Sequence, residues 1–128
     1  MVKETKDQAK MLAQTVIDAM LEKKGVKIVS LSLKDIPNAV CSYFVICHGT
    51  SRPQVEAIAA SVNEKVKAKF GYNPFNKEGF ENAEWILVDY VDVVVHIFRE
   101  ETRKFYLLEE LWADAKINEY GTDSQGEE

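Results

Sequence analysis

The sequence predicts an α+β domain, with a mixed β-sheet of about four to five strands packed against helices. Three observations carry this. Apolar residues recur at helical spacing over residues 9–21 and 55–66, β-branched runs occupy residues 40–48 and 93–98, and the elements follow in the order α-β-β-α-β-β-α. The helical passage through residues 51–70 is long enough to join parallel neighbours, whereas the short strand connections suit antiparallel pairs, so the sheet should be mixed.

The first helix follows from Ala9, Leu12, Ala13, Val16, Ile17, Met20 and Leu21 on one stripe. Thr5-Lys6-Asp7-Gln8 reads as its capping box, and Gly25, after Lys23 and Lys24, as its left-handed stop. Residues 26–33 alternate, with Val29, Leu31 and Leu33 on one face, as a strand near the sheet margin does. Asp35-Ile36-Pro37-Asn38 supplies turn chemistry, and residues 40–48 form a more buried strand. Ser51-Arg52-Pro53-Gln54 opens the second helix, whose inward stripe is Val55, Ile58, Ala59, Val62 and Val66. Residues 71–82 are a polar connection with room for a short extended piece. Strands at 85–89 and 93–98 follow, then a helix over 102–114 with Phe105, Leu108, Leu111, Trp112 and Ala115 facing inward. Residues 1–116 read as a single domain and residues 117–128 as a disordered acidic tail.

Charge is shared unevenly. Residues 78–128 hold fourteen Asp/Glu against four Lys/Arg, while residues 1–77 hold seven against twelve. An acidic C-terminal half in a chain of net charge −5 favours a basic partner over naked nucleic acid. No run approaches the ~20 apolar residues that span a bilayer, and the N-terminus lacks the apolar core of a signal peptide, so cytoplasmic location is expected. Cys41 and Cys47 fall on one predicted strand face, six residues and roughly 20 Å apart, which suits buried free thiols and excludes a disulfide between them.

Catalytic chemistry finds little purchase. His48-Gly49-Thr50-Ser51, between a buried strand and a helix start, is a corner where free N–H groups could hold an anion. A nucleotidyltransferase would also need a close carboxylate pair for magnesium, and no Asp-x-Asp follows. Asp89 and Asp92 form the nearest pair and flank a strand turn. Cys47 and His48 point to opposite strand faces and cannot form a nucleophile–base pair. There is no zinc-ligand spacing, P-loop or dinucleotide fingerprint. His96, among β-branched neighbours, reads as a hydrogen-bonded structural histidine.

Three blocks give a more specific reading: Ser42-Tyr43-Phe44-Val45-Ile46-Cys47-His48-Gly49-Thr50-Ser51; Glu78-Gly79; and Glu84–Asp89 running through Asp92–Phe98 to Arg103, Tyr106, Leu108, Glu109, Leu111 and Trp112. In order, spacing and residue type these resemble the ribosomal silencing factor (RsfS, Iojap-like) family over residues 5–115. The resemblance implies a nucleotidyltransferase-like fold without catalytic activity or cofactor. It further implies binding to the large ribosomal subunit through ribosomal protein L-fourteen, with little direct nucleic-acid contact and no membrane role. Docking there would block joining of the small subunit and repress translation when nutrients are short. The family is often dimeric when free, which would make this chain a homodimer. The residues expected to meet the ribosomal protein are Glu78, Trp85, Asp89, Asp92, His96 and Tyr106. The competing expectation is a nucleotide- or metal-binding protein using the corner from His48 to Ser51. Two positions depart from the family pattern. Ser42 stands where Asp is common, and Val91 where Gly usually sits between the paired Asp residues; a β-branched residue there should force a turn other than the left-handed one.

Overall fold

A computed structural model describes residues 2–39, 41–106 and 115–120, with side chains from residue 8 onward. The elements are α1 (Val2–Glu22), β1 (Val26–Ser32), β2 (Tyr43–Gly49), α2 (Arg52–Phe70), β3 (Asn76–Glu78), β4 (Trp85–Asp89), β5 (Val93–Arg99), α3 (Glu100–Tyr106) and β6 (Lys116–Tyr120). The six strands form one sheet in the order β3-β4-β5-β2-β1-β6.

The parallel pair sits at the centre. β2 and β5 run side by side from Tyr43↔Val93 to Gly49↔Arg99, and every other pairing is antiparallel. α2 therefore does link parallel strands, but the chain passes through β3 and β4 before it returns beside β2. Because both faces of β2 and β5 are covered, their seven-residue runs are apolar and buried almost throughout, as a central parallel pair requires.

Alternation sorts the side chains into two layers. On one face Tyr43, Val45, Cys47, Val93, Val95 and Ile97 pack against α1 and α2, with Ile86 and Val88 of β4. On the other, Phe44, Ile46, Val94 and Phe98 join Val29 and Leu31 of β1 and Leu33 just after it. Cys41 lies ahead of β2 and packs with this second layer, so it does not share a face with Cys47. Both cysteines are free, and burial pushes both thiols up to about 12, which keeps them protonated and unreactive.

The helix ends differ in instructive ways. α2 starts as expected, with Ser51 Oγ accepting from the Gln54 N–H and Pro53 in the first turn, and it ends on Gly71 at φ 74°. α1 begins at Val2, upstream of the expected Thr5 box, so that motif lies inside the helix. Its stop is carried by Lys24 at φ 62° rather than by Gly25. The Gly25 N–H donates to Met20 O and the Lys24 N–H to Leu21 O, a Schellman closure. Gly25 serves close approach instead: a Cβ there would lie 3.1 Å from Cys47 Sγ.

Three further expectations need correction. β6 was not anticipated; residues 117–120, expected in the acidic tail, pair with β1. Phe105, expected to face inward, is 78% exposed, and the remaining expected helix positions from 107 to 114 lie outside the described residues. Val91 takes φ 77° despite its branched side chain. The Asp92 N–H donates to Tyr90 O, closing a positive-φ γ-turn, while Asp89 Oδ1 accepts from the Val91 N–H at 2.7 Å. The left-handed turn is kept and the strain tolerated.

Candidate protein-docking face

β4 alternates between half-buried and buried residues, which sends Trp85, Leu87 and Asp89 to the face opposite α1 and α2. Antiparallel pairing sets Trp85 against Phe98, Leu87 against His96 and Asp89 against Val94. Directly opposed residues share a face, so Glu78, paired with Leu87, joins it from β3. α3 then brings Tyr106 over the indole of Trp85, ring centroids 4.6 Å apart, and Phe105 lies edge-on to Tyr106 at 5.0 Å. Tyr106 is 45% exposed, so Trp85, Tyr106 and Phe105 form an aromatic shelf that rises from half-buried to open.

The shelf is pinned from beneath. Trp85 Nε1 lies 3.1 Å from His96 Nδ1, and because an indole nitrogen only donates, Nδ1 must accept and the imidazole proton sits on Nε2. His96 is 4% exposed, and burial lowers its pKa to about 4, so it is neutral and holds Trp85 in one orientation. Its Nε2 has no hydrogen-bond partner among the described residues, and its ring stands edge-on to Phe44 at 4.8 Å. His96 is thus a support of the shelf and not itself a contact surface. Gly79 matters here too. It sits at φ 87°, and a Cβ at that position would overlap the Trp85 carbonyl, so only glycine allows β3 to turn this closely onto the start of β4.

Five of the six expected residues are therefore brought to one face: Glu78, Trp85, Asp89, His96 and Tyr106. Asp92 is not among them. It sits beyond the Val91 turn, its backbone carbonyl accepts from the Ser42 and Tyr43 N–H groups, and it borders clefts on the α1 side. Sequence reasoning missed Leu87 and Phe105. The period-two pattern of β4 could have shown Leu87, since it shares a face with Trp85; Phe105 was hidden because its helical spacing from Leu108 imitates a core stripe.

The corner after β2 is closed by its own side chains. Gln54 Oε1 accepts from the Thr50 N–H at 2.8 Å, Gln54 Nε2 donates to Lys24 O at 2.9 Å, and a Cβ on Gly49 would meet Gln54 Oε1 at 3.0 Å. His48 faces the other way, its Nδ1 3.0 Å from Arg103 Nη1; the guanidinium only donates, so this imidazole also accepts. Burial, then the Arg103 charge, lowers the His48 pKa to about 4. Arg103 also donates to Val26 O and Lys27 O at the β1 bulge, tying α3 to the sheet. Among the described residues no three His, Cys, Asp or Glu side chains group closely enough for a metal ion, and no helix is long and apolar enough to cross a membrane.

Fold and face together define a mixed-sheet α+β protein with an acid-edged aromatic shelf and a strand-to-helix corner filled by its own glutamine. The model of the family described as ribosomal silencing factor during starvation, RsfS, matches residues 6–128, and the chain belongs to that family. It is 42% identical over 104 residues to the ribosomal silencing factor RsfS of Halalkalibacterium halodurans, covering 81% of this chain and 87% of that one. Iojap, a chloroplast protein of Arabidopsis thaliana, is 33% identical over 85 residues, covering 66% of this chain and 35% of that one. Among solved structures, a protein from Chromobacterium violaceum superposes with a TM-score of 0.76 at 34% identity, covering 81% of this chain and 85% of that chain.

Proposed function

We propose that this protein regulates translation by docking on the large ribosomal subunit through ribosomal protein L-fourteen, thereby excluding the small subunit. The shelf of Trp85, Tyr106 and Phe105 is the observation that carries this reading. Large aromatics held rigid at an accessible face are the residues that dominate protein interfaces, and a histidine bond that fixes the indole removes part of the ordering cost on binding. Glu78 and Asp89 border the shelf, Glu84 directly precedes Trp85, and Glu100 and Glu101 open α3. That distribution suits a basic protein partner, steers encounter and disfavours rRNA phosphates. The mechanism is occupation of space: it needs no catalysis and no cofactor, and it would operate in the cytoplasm. The same exposed shelf would be covered by a second copy in a free homodimer.

The test is sedimentation of the protein with isolated large subunits, isolated small subunits and a joining mixture. Co-migration with large subunits alone, with fewer joined ribosomes, is the expected result. Co-migration with both subunits, or with neither at low salt, would contradict the reading.

A further inference from the structure

We propose that the cleft between α1, β1, β6 and the loop after β1 binds a small phosphorylated polyol of nucleotide size. It lies at the opposite end of β2 from the Gln54-filled corner, and it does not depend on ribosomal docking. The cleft is open to solvent and offers about 930 Å³, within the range of small-molecule sites.

Its floor breaks the pattern of the sheet. On the α1-facing side β2, β4 and β5 present apolar residues, yet β1 presents Ser30 and Ser32 there after Ile28. Pairing sets Asn118 beside Ser30 and Lys116 beside Ser32. Ser30 is 4% exposed, and its hydroxyl lies 3.0 Å from the Tyr120 hydroxyl. A polar floor where burial favours Val or Leu is the kind of local conflict that marks a functional position.

Cations from three separate elements converge on this floor: Lys10 of α1, Lys34 of the loop and Lys116 of β6. None of the three makes an ion pair among the described residues, although the chain carries 21 Asp/Glu against 16 Lys/Arg. Lys34 Nζ instead stands 5.5 Å over the ring of Tyr43. Two carboxylates, Asp35 and Asp92, also border the cleft, leaving it one positive charge in excess. Ammonium groups recognise phosphate oxygens, and carboxylates accept hydrogen bonds from hydroxyls. A ligand that satisfies both carries phosphate and free hydroxyls together, as a ribose phosphate does. Ile17, Ile36 and Ala39 give the wall an apolar section for a sugar or base face.

The experiment is calorimetric titration of the full chain with ADP, with pyrophosphate and with ribose. Lys34→Gln and Lys116→Gln are compared with Lys69→Gln on the exposed side of α2. All three lysines are solvent-exposed, so the variants should fold alike. The expected result is saturable ADP binding, tighter than pyrophosphate or ribose alone. It should weaken about tenfold in either cleft variant and stay unchanged in Lys69→Gln. Asp35→Asn should weaken ADP relative to pyrophosphate, which should bind no more weakly than to wild type once that negative charge is gone. Absence of saturable binding up to about 1 mM, or equal effects of the cleft and control variants, overturns the site. Pyrophosphate binding as tightly as ADP overturns its assignment to a phosphorylated polyol.

Discussion

Acid should unfold this protein through two buried imidazoles, well above the range where surface carboxylates titrate. His48 and His96 are the chain's two histidines, and both are held neutral with the pKa lowered from 6.5 to about 4. The direction follows from proton counting. Between those values the unfolded chain binds a proton at each histidine and the folded chain does not, so stability rises with pH across the window and is lost as pH falls through it. A shift of that size corresponds to about 3 kcal/mol per histidine when complete. Between pH 7 and pH 5 each site loses about 1.8 kcal/mol, or about 3–4 kcal/mol together, a large share of the ~5–15 kcal/mol typical of a domain. Urea unfolding followed by tryptophan fluorescence at pH 7, 6 and 5 measures this directly. His96→Asn, whose amide oxygen can still accept from Trp85, and His48→Asn should each remove about half of the pH slope. A stability that stays flat from pH 7 to pH 5, or a slope unchanged in both variants, would refute the burial argument.

Other substitutions probe the turns that position the face. Val91→Gly relieves the φ of 77° and should raise stability by about 1 kcal/mol after the entropy of the added glycine, read as a higher urea midpoint. Gly79→Ala places a methyl against the Trp85 carbonyl and should cost more than about 2 kcal/mol, with a shifted indole emission as β4 moves. Gln54→Ala opens the corner after β2 and leaves the Thr50 N–H and Lys24 O without their partner, a loss of about 1–2 kcal/mol by the same unfolding assay.

Much of the core was legible because it is written in periodicity. The β-branched runs of β4 and β5 placed those strands to within a residue at each end, and the Ser51 cap with its Val55-to-Val66 stripe placed α2. What escaped was structure held by backbone alone. Lys116–Tyr120 pairs with β1 through five register positions, yet it is polar and mostly exposed, so no hydrophobic alternation announces it. Thr5 and Gln8 imitated a capping box inside a helix that starts earlier. Val91 shows the opposite failure: sterics argued against a left-handed turn, but the Asp89 carboxylate and the Tyr90–Asp92 closure hold it.

At the face, the family resemblance picked out Trp85, Asp89 and Tyr106, which the structure places together. The division of labour was legible in part: His96 reads from the sequence as a hydrogen-bonded structural histidine, but its partner does not. His96 turned out to hold the indole from below, because only the Leu87↔His96 register sets that ring beside Trp85. The turn between Asp89 and Asp92 was legible, but not that it takes Asp92 off the face that Asp89 shares with Trp85. The Ser51–Gln54 capping signature did foretell that Gln54 would fold back on the helix start; the N–H it reaches is that of Thr50, and its second bond to Lys24 O was not legible.

The most direct test of the docking account is the affinity of Trp85→Ala and of wild type for isolated large subunits, with urea unfolding to confirm that the variant is folded. Loss of the indole removes the fixed anchor of the shelf, so binding should weaken by more than ~1 kcal/mol, about fivefold or greater. A folded Trp85→Ala protein that binds large subunits as tightly as wild type would contradict the claim that this face is the docking surface.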